Sequence, residues 1–505
     1  MSGHRGRVIF LVMLSAITAL KICFAATTSL FPEESFYWQC SERQDIHYVD
    51  LPFMTAALVR AGTAVVGQEA LGVRLSFLIL GTLFPLASIR AARPLVGTDA
   101  AWLVGFATLA LPGTALLGAV AVPDVPMMLF TLLAFHGVES ATRNDSLWGW
   151  LLASASLALG LQTHYRFVFV PVSIALYAWL TPNGRARLNP LRRPRAWLVV
   201  AGIALGLIPA AVHSLRAGVE PIAYYLLGRH GIGFDPTELL RHLAGQALIV
   251  SPFLYLALLV VLAVLLRRAS QGDDRAALGA SFALLPLGCY LLMSPLHDVA
   301  LSTLHWPLPG YVPLLIFFPT AFGDRLSPLS KVARRGMQWL VLAIGPLASG
   351  TLLLGGALGV ALLDPALHEF TGWPEIADGV RREVHALEES GNSRPVVVAD
   401  NYKLGASLEF QLGGLAEVFV LDHPTNHRHG RASAYEGWER GESALRALEG
   451  RDAVVVIQWD ESPSWTRRSW VTRVQSFFSS LEPRAEVRPG HGRRKSFFVY
   501  RGVVG

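Results

Sequence analysis

Pro32-Glu33-Glu34-Ser35-Phe36-Tyr37-Trp38, preceded by Phe31 and continued to Asp50-Leu51-Pro52, follows directly on an apolar run from Val8 to about Thr28. That run is long enough to cross a hydrocarbon core, so the two acids stand where a helix leaves a membrane. A proline before them and three aromatics after them predict a membrane-surface loop. Acidic side chains at a bilayer are costly and tend to be functional. A carboxylate against a low-dielectric wall is also a candidate general base. In an extended loop only one of two adjacent side chains points squarely into a site. The plain alternative is a pair of acids capping a short interfacial helix.

Working outward, the 505 residues are 52% hydrophobic and 16% charged, where a soluble domain is roughly 25% charged. Mean hydropathy is +0.42. Apolar runs of about 20 residues recur, so the expected fold class is an all-α polytopic membrane protein. The net charge of +6 comes from arginines in short turns between apolar runs, the positive-inside pattern, and not from a nucleic-acid surface. Cys23, Cys40 and Cys289 have no metal spacing, and the C-terminal region has no cysteine, so no disulfide framework is implied.

The first apolar run reads as an uncleaved span in preference to a signal peptide, with His4, Arg5 and Arg7 placing the N-terminus in the cytoplasm. Leu51–Val66 reads as an amphipathic interfacial helix. Further spans are expected over Leu71–Ile89, Ala100–Leu117, Pro123–Val138, Leu147–Leu161, Phe167–Leu180, Ala196–Val212, Leu243–Leu266, Ala276–Met293, Pro309–Phe322 and Gln338–Leu362. That makes about eleven transmembrane helices with the C-terminus outside. The five arginines of Thr181–Arg195 are the strongest cytoplasmic marker. Residues 1–362 form the expected membrane domain. In 363–505 charge rises and apolar runs shorten. Helix signals at Pro374–Ser390, Leu404–Leu412 and Ser443–Leu448 alternate with strand signals at Pro395–Ala399, Val418–Leu421, Ala453–Gln458 and Phe497–Tyr500. This pattern predicts a small extracytoplasmic α/β domain.

Candidate chemistry gathers on the outer face. Glu33 and Glu34 follow the first span. Asp124 begins the fourth, between two prolines, where a helix N-cap is the plain reading. His164, Tyr165 and Arg166 sit at the turn between the fifth and sixth spans, where snorkelling anchors are the plain reading. His305 and Trp306 precede the tenth, where an aromatic belt would serve. Their meeting on one side favours function. Carboxylates beside cations suit a hydroxyl acceptor and a phosphate-bearing lipid donor.

The same residues carry a resemblance. Pro32–Trp38 resembles the P-D-E-A-Y-Y-W motif of polyprenyl-phosphate-sugar glycosyltransferases of the GT-C fold, bacterial relatives of protein O-mannosyltransferases and of the lipid A aminoarabinose transferases. Tyr48-Val49-Asp50-Leu51-Pro52 with Leu58-Val59-Arg60-Ala61-Gly62 is similar to Y-Y-D-H-P-P…L-I-R-A-G. Gly72-Val73-Arg74-Leu75 is similar to x-x-R-L, and Val122-Pro123-Asp124-Val125-Pro126 to T-P-D-A-P. Thr163-His164-Tyr165-Arg166 stands where the family has S-K-Y-T. His305-Trp306-Pro307-Leu308-Pro309-Gly310-Tyr311 resembles W-P-A-P-A-Y, and Gly372–Glu375 and Ala406–Leu412 resemble the family's outer tail.

The resemblance implies an inner-membrane enzyme that moves a sugar from a polyprenyl-phosphate carrier to a glycan, lipid or protein hydroxyl at the periplasmic face. It implies catalytic roles for Glu33, Glu34 and Asp124, donor-phosphate contacts from His164, Tyr165 and Arg166, and substrate contacts from Asp50, His305 and Trp306. Partners would be the lipid-linked donor, the acceptor and membrane lipids, with no nucleic acid. Clustered carboxylates can hold a divalent metal, but no ligand spacing demands one. The chain departs from the family at Glu33, where the motif has Asp, at Leu51 and Phe53, and at His164, where it has Lys. A transporter or flippase for lipid-linked saccharide, or an inactive relative, is the competing reading. Ionisable groups at the bilayer midplane would mark a transporter.

Overall fold

The computed structural model describes residues 4–43, 48, 51–217, 233–296, 304–325, 330–363, 367–390, 394–459, 467–489 and 495–505. Among these, seven helices are long and apolar enough to cross a membrane: His4–Thr27 (α1), Ala70–Val96 (α4), Asp124–Asn144 (α7), and those within Pro194–Leu215, Pro252–Ser270, Asp274–Leu296 and Arg335–Ala357. Four shorter apolar helices lie at Met54–Val66 (α3), Leu147–Leu161, Tyr165–Leu180 and Leu308–Gly323. Helix α1 shows why such segments assemble. Phe10, Leu14, Ile17, Lys21 and Phe24 are buried at helical spacing, while Val8, Leu11, Val12 and Ile22 stay exposed, as a helix with one bundle face and one lipid face requires. The Lys21 ammonium in that stripe donates to the Thr114 carbonyl at 3.4 Å.

Three expectations are corrected, one of them the span expected over Leu243–Leu266, which is broken at Ser251-Pro252 into helices Thr237–Val250 and Pro252–Ser270. The stretch after α1 is a helix, Pro32–Arg43 (α2), and not a loop. Proline is suited to the first helical position, and acids in the first turn complement the helix dipole. Glu34 also reaches back to the Phe31 amide at 3.2 Å, half of a capping box. The span expected over Ala100–Leu117 is broken into Thr98–Leu109 (α5) and Pro112–Leu117 (α6). Pro112 lacks an N–H and forces Leu111 out of helical geometry, at φ −88° and ψ 109°. The chain leaving α6 thus runs irregularly from 118 to 123 before α7 begins at Asp124.

Helix α3 begins where the Met54 amide meets the Gln162 carbonyl at 3.0 Å, tying the interfacial helix to the His164 turn. It crosses α4 at close range. A Cβ on Gly62 would stand 2.2 Å from the Gly72 carbonyl oxygen, so only glycine fits.

Beyond Trp373–Glu389 the chain forms a five-stranded sheet of order β2-β1-β3-β5-β4, with β1 Val396–Ala399, β2 Val418–Val420, β3 Asp452–Gln458, β4 Phe478–Val487 and β5 Phe497–Val504. The first three run parallel, and β5 and β4 are antiparallel. Strand β4 is the one the sequence reading omits. It is a mostly exposed edge strand containing Pro483 and two register shifts, so it lacks the alternation that marks a strand. The sheet region docks on α2. Phe36, Tyr37 and Cys40 share one buried cluster with Tyr402, Leu404 and Tyr435.

Candidate active site

The two adjacent acids have opposite surroundings because a helix turns successive side chains about 100° apart. Glu34 is fully buried against fully buried Arg74 of α4. Its Oε1 accepts from Arg74 Nε at 2.8 Å and from the Ala121 amide at 2.7 Å. Its Oε2 accepts from Arg74 Nη2 at 2.5 Å and from the Phe31 amide. Arg74 spends its other protons on the Ala25, Thr28 and Ser29 carbonyls at 2.8–3.0 Å and on the Thr28 hydroxyl at 3.0 Å. Four chain segments are thereby pinned to one bidentate pair, and both partners have their hydrogen-bonding capacity taken up within the protein.

Glu33 is only half-buried. Its Oε1 accepts from the Tyr402 hydroxyl at 3.0 Å. Around it stand cations from the sheet region. The Arg431 guanidinium lies 4.1 Å from the Phe36 ring centre and 4.3 Å from that of Tyr402, and His429 lies 5.3 Å from the Tyr402 ring. Lys403 follows Tyr402 in the chain and sits 3.9 Å from Glu369. Burial alone would raise the Glu33 carboxyl. Arg431, Lys403, His429 and the Tyr402 hydroxyl outweigh it and hold the carboxyl below its ordinary range.

The remaining expected residues form a second cluster. Asp124, buried at the start of α7, accepts from Arg166 Nη2 at 2.9 Å and faces His305 Nε2 at 3.6 Å. Arg166 lies 5.4 Å from the Trp306 ring centre. His164 is buried, and its Nδ1 accepts from the Arg166 amide at 3.0 Å. A neutral imidazole has one acceptor nitrogen, so the 3.4 Å approach of Arg166 Nε to His164 Nε2 is a contact and not a second hydrogen bond. Arg166 Nη1 is buried and has no hydrogen-bond partner among the described residues. The guanidinium lines a narrow apolar cleft with Met127, Phe169, Phe282 and Trp306. The Tyr165 hydroxyl reaches the Tyr48 carbonyl at 3.5 Å. Asp50 lies outside the described residues. The clusters are joined by the chain 121–124, whose first amide holds Glu34 and whose last side chain holds Arg166. Among the described residues no three His, Cys, Asp or Glu side chains are placed to hold a metal ion.

Sequence reasoning missed Arg74 as a brace, although the residue stands in a quoted motif. It also missed Tyr402, Lys403, His429 and Arg431. These lie some 370–400 positions from Glu33, in a region whose local pattern signals only helix and strand. Gln39 of α2, which takes the Tyr435 hydroxyl at 2.8 Å and bonds Glu409, was also without a local signal.

The chain is similar to known proteins in sequence and in fold. Residues 50–213 match the family described as dolichyl-phosphate-mannose-protein mannosyltransferase. The lipid A galacturonosyltransferase RgtD of Rhizobium johnstonii is 24% identical over 394 residues, covering 76% of this chain and 78% of that protein. ArnT from Cupriavidus metallidurans, solved alone and bound to undecaprenyl phosphate, superposes with a TM-score of 0.63 over 98% of both chains at 14% identity. The Archaeoglobus fulgidus oligosaccharyltransferase, solved with Zn and sulfate, gives 0.54 at 10% identity over 94% of this chain and 72% of that one. The fold is the GT-C fold, and the chain is a multi-pass membrane glycosyltransferase.

Proposed function

We propose that this glycosyltransferase moves a sugar from an undecaprenyl-phosphate-type carrier to a hydroxyl of a lipid A-type glycolipid, at the outer face of the inner membrane. The orientation rests on the arginine-rich turns, which put Thr181–Arg195 inside and the sheet region outside. We take 1–362 as the membrane unit and 363–505 as the outer domain. The carrier and the acceptor are supported by the ligand in the ArnT structure and by the acceptor of RgtD.

The observation that carries the mechanism is the contrast between the two acids. Glu34 is enclosed and saturated, so it is a positioning residue, and we withdraw it from the catalytic set. Glu33 is ionised, partly open and hydrogen-bonded on one oxygen. It takes the proton of the acceptor hydroxyl. The acceptor oxygen bonds to the anomeric carbon while the bond from that carbon to the phosphate oxygen breaks, and the lipid phosphate departs with the electron pair. Arg166 is the fixed cation for that phosphate. Asp124 and His164 orient it, and its buried Nη1 leaves a donor for a phosphate oxygen. Tyr165, His305, Trp306 and Asp50 remain candidate substrate contacts.

The donor sugar is a hexuronic acid, a reading supported by RgtD, a lipid A galacturonosyltransferase; Arg431, Lys403 and His429 stand around Glu33, with Glu369 also beside Lys403. The test is transfer of label from polyprenyl-phosphate-linked hexuronate to lipid A in membranes holding the parent or Glu33→Gln. Labelled lipid A with the parent alone is expected. Label that crosses the membrane unchanged would instead mark a transporter.

A further inference from the structure

One cavity lies in the sheet region, outside the two acidic clusters. It holds about 420 Å³ and opens beyond the carboxyl end of β2, between the segment 421–437 and the helix Glu442–Arg446. Ligands of parallel sheets gather at the carboxyl ends of strands, and a cavity of this size is in the range of small-molecule sites. Its polar lining is mixed: Asp422, His427, Glu436, Glu442, Ser443 and Arg446. Asp422 and His427 pair at 2.6 Å, and both are largely exposed. Glu442 bonds the Asp422 amide at 2.8 Å and Arg473 at 2.7 Å, which fixes the wall. Gly441 lets the Glu436 side chain lie close against the backbone. A Cβ on Gly441 would stand 2.2 Å from the Glu436 carboxylate.

The charge and the donor set narrow the occupant. Three carboxylates against one guanidinium and one imidazole disfavour phosphate. No three metal-ligating side chains converge among the described residues, which disfavours a cation site. Carboxylates, an imidazole, a hydroxyl and a guanidinium together match vicinal sugar hydroxyls, each of which both donates and accepts. We propose that this cavity is a glycan-binding subsite that holds an unphosphorylated sugar of the acceptor while another of its hydroxyls is glycosylated. This rests on the transfer reading above.

The subsite shares a wall with the proposed base. Asn426, His427, Gly430, Tyr435 and Glu436 face the cavity. From the same segment Arg431 packs on Phe36 and Tyr402, and the Tyr435 hydroxyl donates to Gln39 of α2 at 2.8 Å. One layer of chain therefore separates the cavity from the Glu33 surroundings. A glycan held here anchors the acceptor to the domain that completes the site.

The experiment uses the full chain in lipid nanodiscs. The probe is the oligosaccharide released from the cell's lipopolysaccharide by delipidation and dephosphorylation. Saturation-transfer NMR is expected to show sugar signals with the parent, weakened about tenfold or more with Asp422→Asn and with Glu436→Gln, as for loss of a charge-assisted hydrogen bond. Both changes keep side-chain shape. In transfer assays the same variants are expected to raise the acceptor KM about tenfold and leave kcat within about twofold. Equal signals from parent and variants, an unchanged KM, or a polar peptide displacing the sugar would overturn the subsite. Binding without any transfer would sink the transfer reading and leave the subsite standing.

Discussion

Replacing Glu34 by glutamine should unfold this protein more readily without abolishing its chemistry, and replacing Glu33 should do the reverse. Glu34 accepts two hydrogen bonds on each oxygen. A glutamine has one acceptor oxygen, so whichever way its amide turns, two N–H donors face an NH₂ group. Either turn opposes one backbone amide and one Arg74 nitrogen, and the Arg74 charge stays buried with no anion beside it. Breaking a buried ion pair costs about 3–5 kcal/mol, a large share of a typical stability of about 5–15 kcal/mol. Thermal unfolding in detergent should therefore show a much lower midpoint for Glu34→Gln, with turnover per folded molecule within about tenfold of the parent. Glu33→Gln keeps an acceptor for Tyr402 and should unfold near the parent midpoint, with turnover lower by about 100-fold or more. Glu33→Asp should keep more activity than Glu33→Gln. A stable but inactive Glu34→Gln beside an active Glu33→Gln would make Glu34 the base and refute the reasoning.

Arg166→Ala should raise the donor KM by roughly ten- to a hundredfold, as for loss of a charge-assisted phosphate contact; unchanged donor saturation would remove Arg166 from the phosphate site. Burial raises the Glu33 carboxyl and Arg431 is the strongest of the influences that lower it, so Arg431→Gln should raise its pKa. The base must be ionised, hence the acid limb of kcat/KM should move to higher pH, and a profile that falls in height without moving would give Arg431 a purely structural role. A reporter active only outside the cell should work after Gly505 and fail after Arg187; the opposite pair of results would invert the orientation.

The fold class was legible because most spans are written in composition, and α1, α4 and α7 need only apolar length. The break at Pro112 was also written in the chain, but hydropathy alone runs across it, and only the missing N–H of proline ends the helix. Pro32 at the head of two acids marked a helix start as plainly as a loop, and the aromatics after it supplied the buried face that decides for the helix. In the site, Asp124, His164, Arg166, His305 and Trp306 could be gathered from sequence because each stands at or just before the start of an apolar helix. The difference between Glu33 and Glu34 could not. It depends on which face of α2 meets Arg74 and which meets Tyr402, and those residues come from separate parts of the chain.

That dependence has a consequence for how the site exists at all. The acids come from the membrane part, and the cations around Glu33 come from segments 402–403 and 429–431 of the sheet region. Neither set is stable in its place alone. A half-buried carboxylate without the cations would rise in pKa, because burial disfavours the charged form. Arg431 without Phe36 beneath it would lose one of the two aromatic faces that hold it. The cations that lower the Glu33 pKa are therefore in place only while α2 and the sheet region are in contact. The Gln39 bonds to Tyr435 and Glu409 and the Arg43–Glu409 pair at 3.0 Å lie along that contact. Any movement that separates the two regions, for instance to admit a bulky glycolipid, would take those cations and the Tyr402 hydroxyl away from Glu33 and open its carboxylate to water.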